Sequence, residues 1–282
     1  MSTTAPTPTD AGTAPTRPGN TPEGTASALT TLGAVAWRTT LKVLRTPQVL
    51  GFALLQSALF LVMFRYVLGG AIGVGGLDYV DYLIPGIVVS GLLFTAGGGA
   101  VAVAEEAASG LYDRLRSLPV PQLAVLAGRA LADALLLYVV ALATLAIGLA
   151  IGFRSDADLA HWVAALALLF LYATAVALAF VWVGLATGSA QAANGLALLG
   201  VPLSFLSSAF VPISSMPAAI QVFAQWQPLT FFINTWRGLL LGDPVVATFE
   251  HPLDFYLVGS ILWSVGLLLL IAPLMLRSYR RD

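Results

Sequence analysis

Apolar residues dominate six long stretches of the chain, approximately 49–68, 82–104, 123–153, 162–186, 195–211 and 255–276, and polar residues are concentrated between them. A helix needs about 20 apolar residues to cross roughly 30 Å of hydrocarbon, where it must satisfy its own backbone hydrogen bonds. The pattern predicts an all-α, polytopic membrane protein with six transmembrane helices. The third stretch is overlong, so its first two turns, carrying Arg129 and Asp133 four residues apart, are expected to project into the interface as a structural ion pair. The fifth is short and contains Pro202, which predicts a kink.

The intervening segments each carry their own pattern. Residues 1–25 are Thr, Pro, Ala and Gly without apolar periodicity, which predicts a disordered tail ahead of one membrane domain over residues 26–282. Over residues 28–46 the basic side chains Arg38, Lys42 and Arg45 recur at helical spacing, as in an interfacial amphipathic helix resting on an anionic leaflet. Residues 105–121, EEAASGLYDRLRSLPVP, form the one strongly charged segment between two spans. Pro119 and Pro121 end any helix there, because proline lacks an amide proton. Leu111, Leu115 and Leu118 would share one side of that helix, as a ridge seeking a groove or as a plain lipid contact; spacing leaves both open.

The only long loop on the far side covers residues 212–254, with helix starts at Pro217 and Pro228. After Pro228, the residues Leu229, Phe232, Trp236 and Leu240 fall on one apolar face and Gly242 marks a stop. This segment is too apolar for a surface loop and too short to span, so it is expected to be re-entrant or interfacial, or else a passive aromatic anchor.

Composition and charge narrow the class. The chain is 58% hydrophobic and 10% charged, against 45–50% and about 25% in soluble domains. With six spans, Arg17, Arg38, Lys42, Arg45, Arg114, Arg116, Arg129, Arg277, Arg280 and Arg281 fall on the side of both termini, and Arg65, Arg154 and Arg237 toward the other. That bias predicts cytoplasmic termini in a multi-pass protein of the plasma membrane. A net charge of −1 suggests no nucleic-acid partner. The single lysine, Lys42, has no glycine-rich loop before it, so ATP and its Mg²⁺ would have to be bound by another polypeptide. There is no cysteine, His161 and His251 stand without clustered ligands, and no catalytic constellation is visible, which argues against a metal site and against an enzyme. Arg65 lies near the outer end of the first span, where it either snorkels to the headgroups or lines a pathway.

Three stretches carry a resemblance: AEEAASGLYDRLRSLPVPQLAVLAGRALAD, LSFLSSAFVPISSMP and FAQWQPLTFFINTWRGLLLG. Together with a basic interfacial helix ending in R-T-P, they resemble ABC-2 permeases of the daunorubicin and doxorubicin resistance type over nearly everything beyond residue 30. The resemblance implies the ABC-2 permease fold and a coupling helix at 105–119 seated in a separate ABC ATPase subunit, with Glu105, Glu106, Gly110, Leu111, Leu115, Arg116 and Leu118 at the contact. Gln122 departs from the basic residue that such permeases often carry nearby. It further implies a second permease chain in a dimer, alternating access, and an external segment 212–241 that closes the outer mouth through Pro228, Phe232 and Trp236. A hydrophobic or amphiphilic compound would cross, meeting Phe60, Phe64, Arg65, Phe94, Phe205 and Phe210 if these face the pathway. The rival expectations are an ABC-2 exporter of lipid-linked glycan and an integral membrane enzyme acting on lipids.

Overall fold

The computed structural model describes residues 27–45, 47–68, 78–117 and 120–281. The tail expected at 1–25, and Leu118 and Pro119 of the charged segment, lie outside the described residues. Every element among the described residues is helical: α1 (Ala28–Leu44), α2 (Pro47–Met63) running into a π turn (Phe64–Leu68), α3 (Tyr79–Ala108), α4 (Leu111–Arg116), α5 (Gln122–Ile151), α6 (Leu159–Thr187), α7 (Ala190–Leu198), α8 (Gly200–Phe205), a 3₁₀ turn (Ile213–Ser215), α9 (Ala218–Trp226), α10 (Pro228–Leu241), α11 (Asp243–Val246) and α12 (Leu253–Arg281).

Five of these helical segments are long and apolar enough to cross a membrane: Leu50–Val67, Tyr79–Ala108, Gln122–Ile151, Leu159–Thr187 and Leu253–Ser278. The expected fifth span is instead broken between α7 and α8 at Leu199. Pro202 has no amide proton to offer the Leu198 carbonyl, which is where the helix would otherwise continue. The broken segment runs antiparallel to α3. Ala193 packs on Ala100 and Ala104, Ala197 approaches Gly97, Gly200 lies against Leu93, and the Tyr79 hydroxyl donates to the Phe210 carbonyl at 3.1 Å.

Helix α3 is the centre of the bundle, touching α2, α4, α5, α6, α7, α8 and α10. Small residues make this possible, because without a hydrophobic drive between helices in lipid the backbones must come close to gain packing. A Cβ on Gly184 of α6 would sit 2.5 Å from the Ala100 carbonyl oxygen, and one on Gly86 would run into the Ala209 backbone. The outer helices α2 and α12 leave Phe52, Leu55 and Leu59, and Val258, Leu262 and Leu269, exposed. Such faces suit lipid or a second chain.

Helix α1 forms over the expected residues and docks along α5, burying Thr31 and Thr39. Gly128 is the reason: a Cβ there would lie 2.6 Å from the Leu32 carbonyl oxygen, so only glycine lets the two helices meet. Arg38 and Lys42 reach across to Glu106 of α3, leaving Arg45 exposed.

The bundle has a basic end, where α1, α4 and the start of α5 meet, and an acidic end holding Asp78, Asp81, Asp156, Asp158 and Glu250. Asp158 caps α6 by accepting from the His161 amide at 2.9 Å, and that bond holds its carboxyl below the usual range. From the acidic end, α9 and α10 enter the bundle as a hairpin. All residues of α10 from Leu229 to Leu240 are buried, on its polar face as well as its apolar one. The segment is therefore no passive anchor at the surface.

Two glycines of similar sequence context separate packing from helix propensity. In thermal unfolding of the detergent-solubilised protein, Gly128→Ala is expected to lower stability by about 1–3 kcal/mol through overpacking. Gly33→Ala, with nothing within 4 Å of its new Cβ, is expected to gain roughly 0.5–1 kcal/mol instead.

Candidate functional site

At the basic end the charges form one network. Arg129 of α5 is buried, with its side chain 5% exposed, and is gripped by two carboxylates: Asp133 one turn on at 3.0 Å, and Glu106 at the end of α3 through Nη1. Glu106 also takes Lys42 at 3.1 Å and Arg38 at 3.9 Å from α1. The ion pair expected within α5 forms, and Glu106 extends it to three helices. A buried guanidinium costs several kcal/mol to desolvate unless its partners are well placed, so the three helices are fixed relative to one another by this cluster.

Helix α4 follows directly. Gly110 takes a left-handed φ of 71°, which lets the chain turn between α3 and α4. Tyr112 anchors α4 by packing with Val103, Leu126 and Ala130, and burial pushes its phenol well above the ordinary range. Leu115 packs on the same cluster and Leu111 is half-buried, so the expected ridge is partly absorbed by the chain itself. Arg116 bonds to Asp113 at 3.2 Å. The outward surface here consists of Glu105, Ala108, Ser109, Asp113, Arg114 and Ser117.

Midway along the bundle the five phenylalanines expected on a pathway form one stack. Phe60 lies 5.7 Å from Phe94 and 6.0 Å from Phe64, Phe64 lies 4.5 Å from Phe210, and Phe210 lies 4.8 Å from Phe205. Phe64 and Phe210 are buried, while Phe205 is 42% exposed on the open side of α8. Beside the stack, Gln56, Ser57 and Thr95 line a cavity of about 10 Å³ with Phe60, Phe94 and Phe210. Arg65 is not among them. Its Nη1 donates to the Ile151 carbonyl at the end of α5, so it caps a helix C-terminus.

At the acidic end the organising residue is Arg237, whose role no spacing reveals. It is fully buried, donates from Nε to the Tyr82 carbonyl at 2.9 Å and from Nη2 to the Ala209 carbonyl at 3.0 Å, and lies 3.5 Å over the Tyr82 ring. It thus ties α10 to α3 and to the turn after α8. Of the expected gate residues, Phe232 stacks on Tyr172 at 4.0 Å, Trp236 donates to the Ala165 carbonyl at 2.7 Å, and Pro228 opens α10. The sequence carried one clue to Arg237, a charge inside an apolar re-entrant segment.

Residues 30–241 match the family described as ABC-2 type transporter. The chain belongs to the ABC-2 type transporter family. It is 31% identical over 247 residues, 86% of this chain and 84% of the relative, to the daunorubicin resistance ABC transporter permease protein DrrB1 of Streptomyces coeruleorubidus. It is 29% identical over 230 residues, 81% and 80% of the two chains, to the probable doxorubicin resistance ABC transporter permease protein DrrC of Mycobacterium tuberculosis. A shorter match, 36% over 73 residues, covers 25% of this chain and 28% of nodulation protein J of Rhizobium leguminosarum bv. trifolii. As an ABC-2 membrane protein the chain is a transporter permease subunit.

The charged cluster makes a specific stability forecast for this ABC-2 chain. Arg129→Met strands the buried Asp133 and strips Glu106 of its closest partner, and is expected to cost about 3–5 kcal/mol, whereas the exposed Lys42→Ala is expected to cost under about 1 kcal/mol. Adding Glu106→Gln and Asp133→Asn to Arg129→Met should recover much of the loss in the same unfolding measurement.

Proposed function

We propose that the chain is the membrane-spanning permease subunit of an ATP-driven exporter for flat, hydrophobic or amphiphilic compounds. The observation that carries this is the stack of five phenylalanines with its exposed edge at Phe205. Aromatic side chains offer a flat solute packing beyond simple area burial. The names of the two long matches, daunorubicin and doxorubicin resistance permeases, support this substrate class over a lipid-linked glycan and over an enzyme acting on lipid. A second permease chain facing Phe205 and the exposed Leu196, Leu199 and Val201 would enclose the pathway.

The orientation we propose places the basic end in the cytoplasm and the acidic end outside, in the plasma membrane, with the α7–α8 segment as the sixth crossing. It rests on the preference of basic residues for the cytoplasmic side. The segment around α4 then seats in a separate ATPase subunit, which binds the ATP and Mg²⁺. Glu105, Gly110, Leu111, Leu115 and Arg116 shape this coupling surface, together with Asp113 and Arg114. Glu106 and Arg129 link it to α1 and α5, so a movement of the ATPase reaches three helices at once. At the other end Pro228, Phe232 and Trp236 belong to the hairpin that closes the outer mouth.

The test is ATP-dependent accumulation of a fluorescent anthracycline in inside-out vesicles holding this chain and a co-encoded ATPase. No accumulation above vesicles with a hydrolysis-dead ATPase would overturn the reading. Losing one aromatic contact of about 0.5–1.5 kcal/mol, Phe205→Ala is expected to raise the half-saturating concentration about 2- to 12-fold. Coupling has its own readout. Arg114→Glu, which leaves the chain's internal packing alone, is expected to insert normally and to lose the ATPase on co-purification; an intact complex would remove α4 from the contact.

A further inference from the structure

A cavity of about 270 Å³ opens at the acidic end between residues 208–214, α10, residues 248–250 and the start of α12. Its lining holds two opposite charges, Arg237 and Glu250. Neither meets an opposite charge among the described residues. Arg237 uses three donors, on the Tyr82 and Ala209 carbonyls and, at a long 3.5 Å, on Asn234 Oδ1. It also bonds to the Tyr82 side chain, so its charge is met by neutral acceptors. Asn234 and Tyr256 stand beside it on the cavity wall: Asn234 Oδ1 also accepts from Ser208 Oγ at 2.9 Å, and Asn234 meets the Tyr256 hydroxyl. This wall is rich in donors and backed by a buried positive charge. Also on the lining, the exposed Glu250 is held by the Gln225 amide, next to the rings of Phe249 and Tyr256, which meet edge to face at 5.3 Å. A carboxylate beside aromatic faces suits an ammonium.

A bare anion would be drawn to the wall and repelled by Glu250, and a bare cation the reverse. We propose that this outer cavity binds a zwitterionic head group of the phosphoethanolamine type, its ammonium at Glu250 and its phosphate oxygens on the Asn234 and Tyr256 wall in front of Arg237. The occupant is a zwitterionic lipid, and the proposal needs only the cavity, so it stands whether or not the exported compound is aromatic.

Native mass spectrometry of the full chain purified in detergent tests it, with phosphatidylethanolamine, phosphatidylglycerol and a single-chain quaternary ammonium amphiphile as probes. Phosphatidylethanolamine is expected to be retained about ten-fold better than either singly charged probe. Glu250→Gln, at an exposed position, is expected to reverse that order in favour of phosphatidylglycerol. Asn234→Leu is expected to weaken phosphatidylethanolamine without strengthening the anionic lipid. Free phosphoethanolamine at millimolar concentration is expected to displace the lipid, which separates head-group recognition from a general affinity for acyl chains. Equal retention of all three probes, or phosphatidylethanolamine retention indifferent to both Glu250→Gln and free phosphoethanolamine, overturns the proposal. Because binding is read without transport, its failure is distinct from failure of the export reading.

Discussion

A carbonyl released where a helix breaks inside an apolar layer has no water to turn to, and the protein must supply the donor. The acidic half of this molecule is arranged around that requirement. Arg237 serves Ala209, Gln227 serves Leu206, Tyr79 serves Phe210, Tyr82 serves Ser208, Arg65 serves Ile151 and Ser155 serves Leu240. In nearly every case the donor comes from a different element than the acceptor, so the bonds that satisfy the backbone also assemble the tertiary structure. Irregular backbone at depth is tolerated here because other helices cover it.

The two ends solve different problems. At the basic end regular helices meet, their backbones are already satisfied, and the side chains are free to form a charge cluster around Arg129 and Glu106. Such a cluster can hold α1, α3 and α5 in one arrangement or release them together, since removing one partner leaves the others uncompensated. At the acidic end many polar groups are spent on carbonyls, which ties α3, α10 and the turn after α8 together around the cavity. Between them lies a zone of phenylalanines with weak directional preference. A charge-linked basic end, an aromatic middle and a hydrogen-bonded acidic end thus divide this transporter subunit into three zones held by different forces.

Much of this was legible from the order of residues. Five of the six long apolar stretches became helices close to their expected limits, Arg129 and Asp133 paired as their spacing implied, and the five phenylalanines chosen for their ring shape proved to be neighbours. What escaped depended on partners far apart in the chain. The contact of Glu106 with Arg129 and Lys42 spans 23 and 64 positions, and that of Arg237 with Tyr82 spans 155. Helical periodicity reports only which face a residue takes, so it gave α1 a basic edge but not the seat that Gly128 makes for Leu32 and Val35 on α5. In the same way it made Leu115 a free ridge, although Tyr112 had turned that side of α4 inward.

The buried polar face of α10 also sets an order of events during synthesis. Arg237, Asn234 and Thr230 cannot wait in lipid, where an arginine at mid-depth costs at least a few kcal/mol. Their neighbours Tyr82, Ser208 and Ala209, and the Ala165 carbonyl that receives Trp236, all leave the ribosome earlier than α10. The hairpin therefore arrives at a receptor already built and can pass into it without meeting the hydrocarbon unpartnered. Helix α12 comes last, its Ser260 closing on Thr235 at 2.9 Å, and seals the hairpin from the lipid side. A chain made in the opposite order would have to store a charged helix in oil.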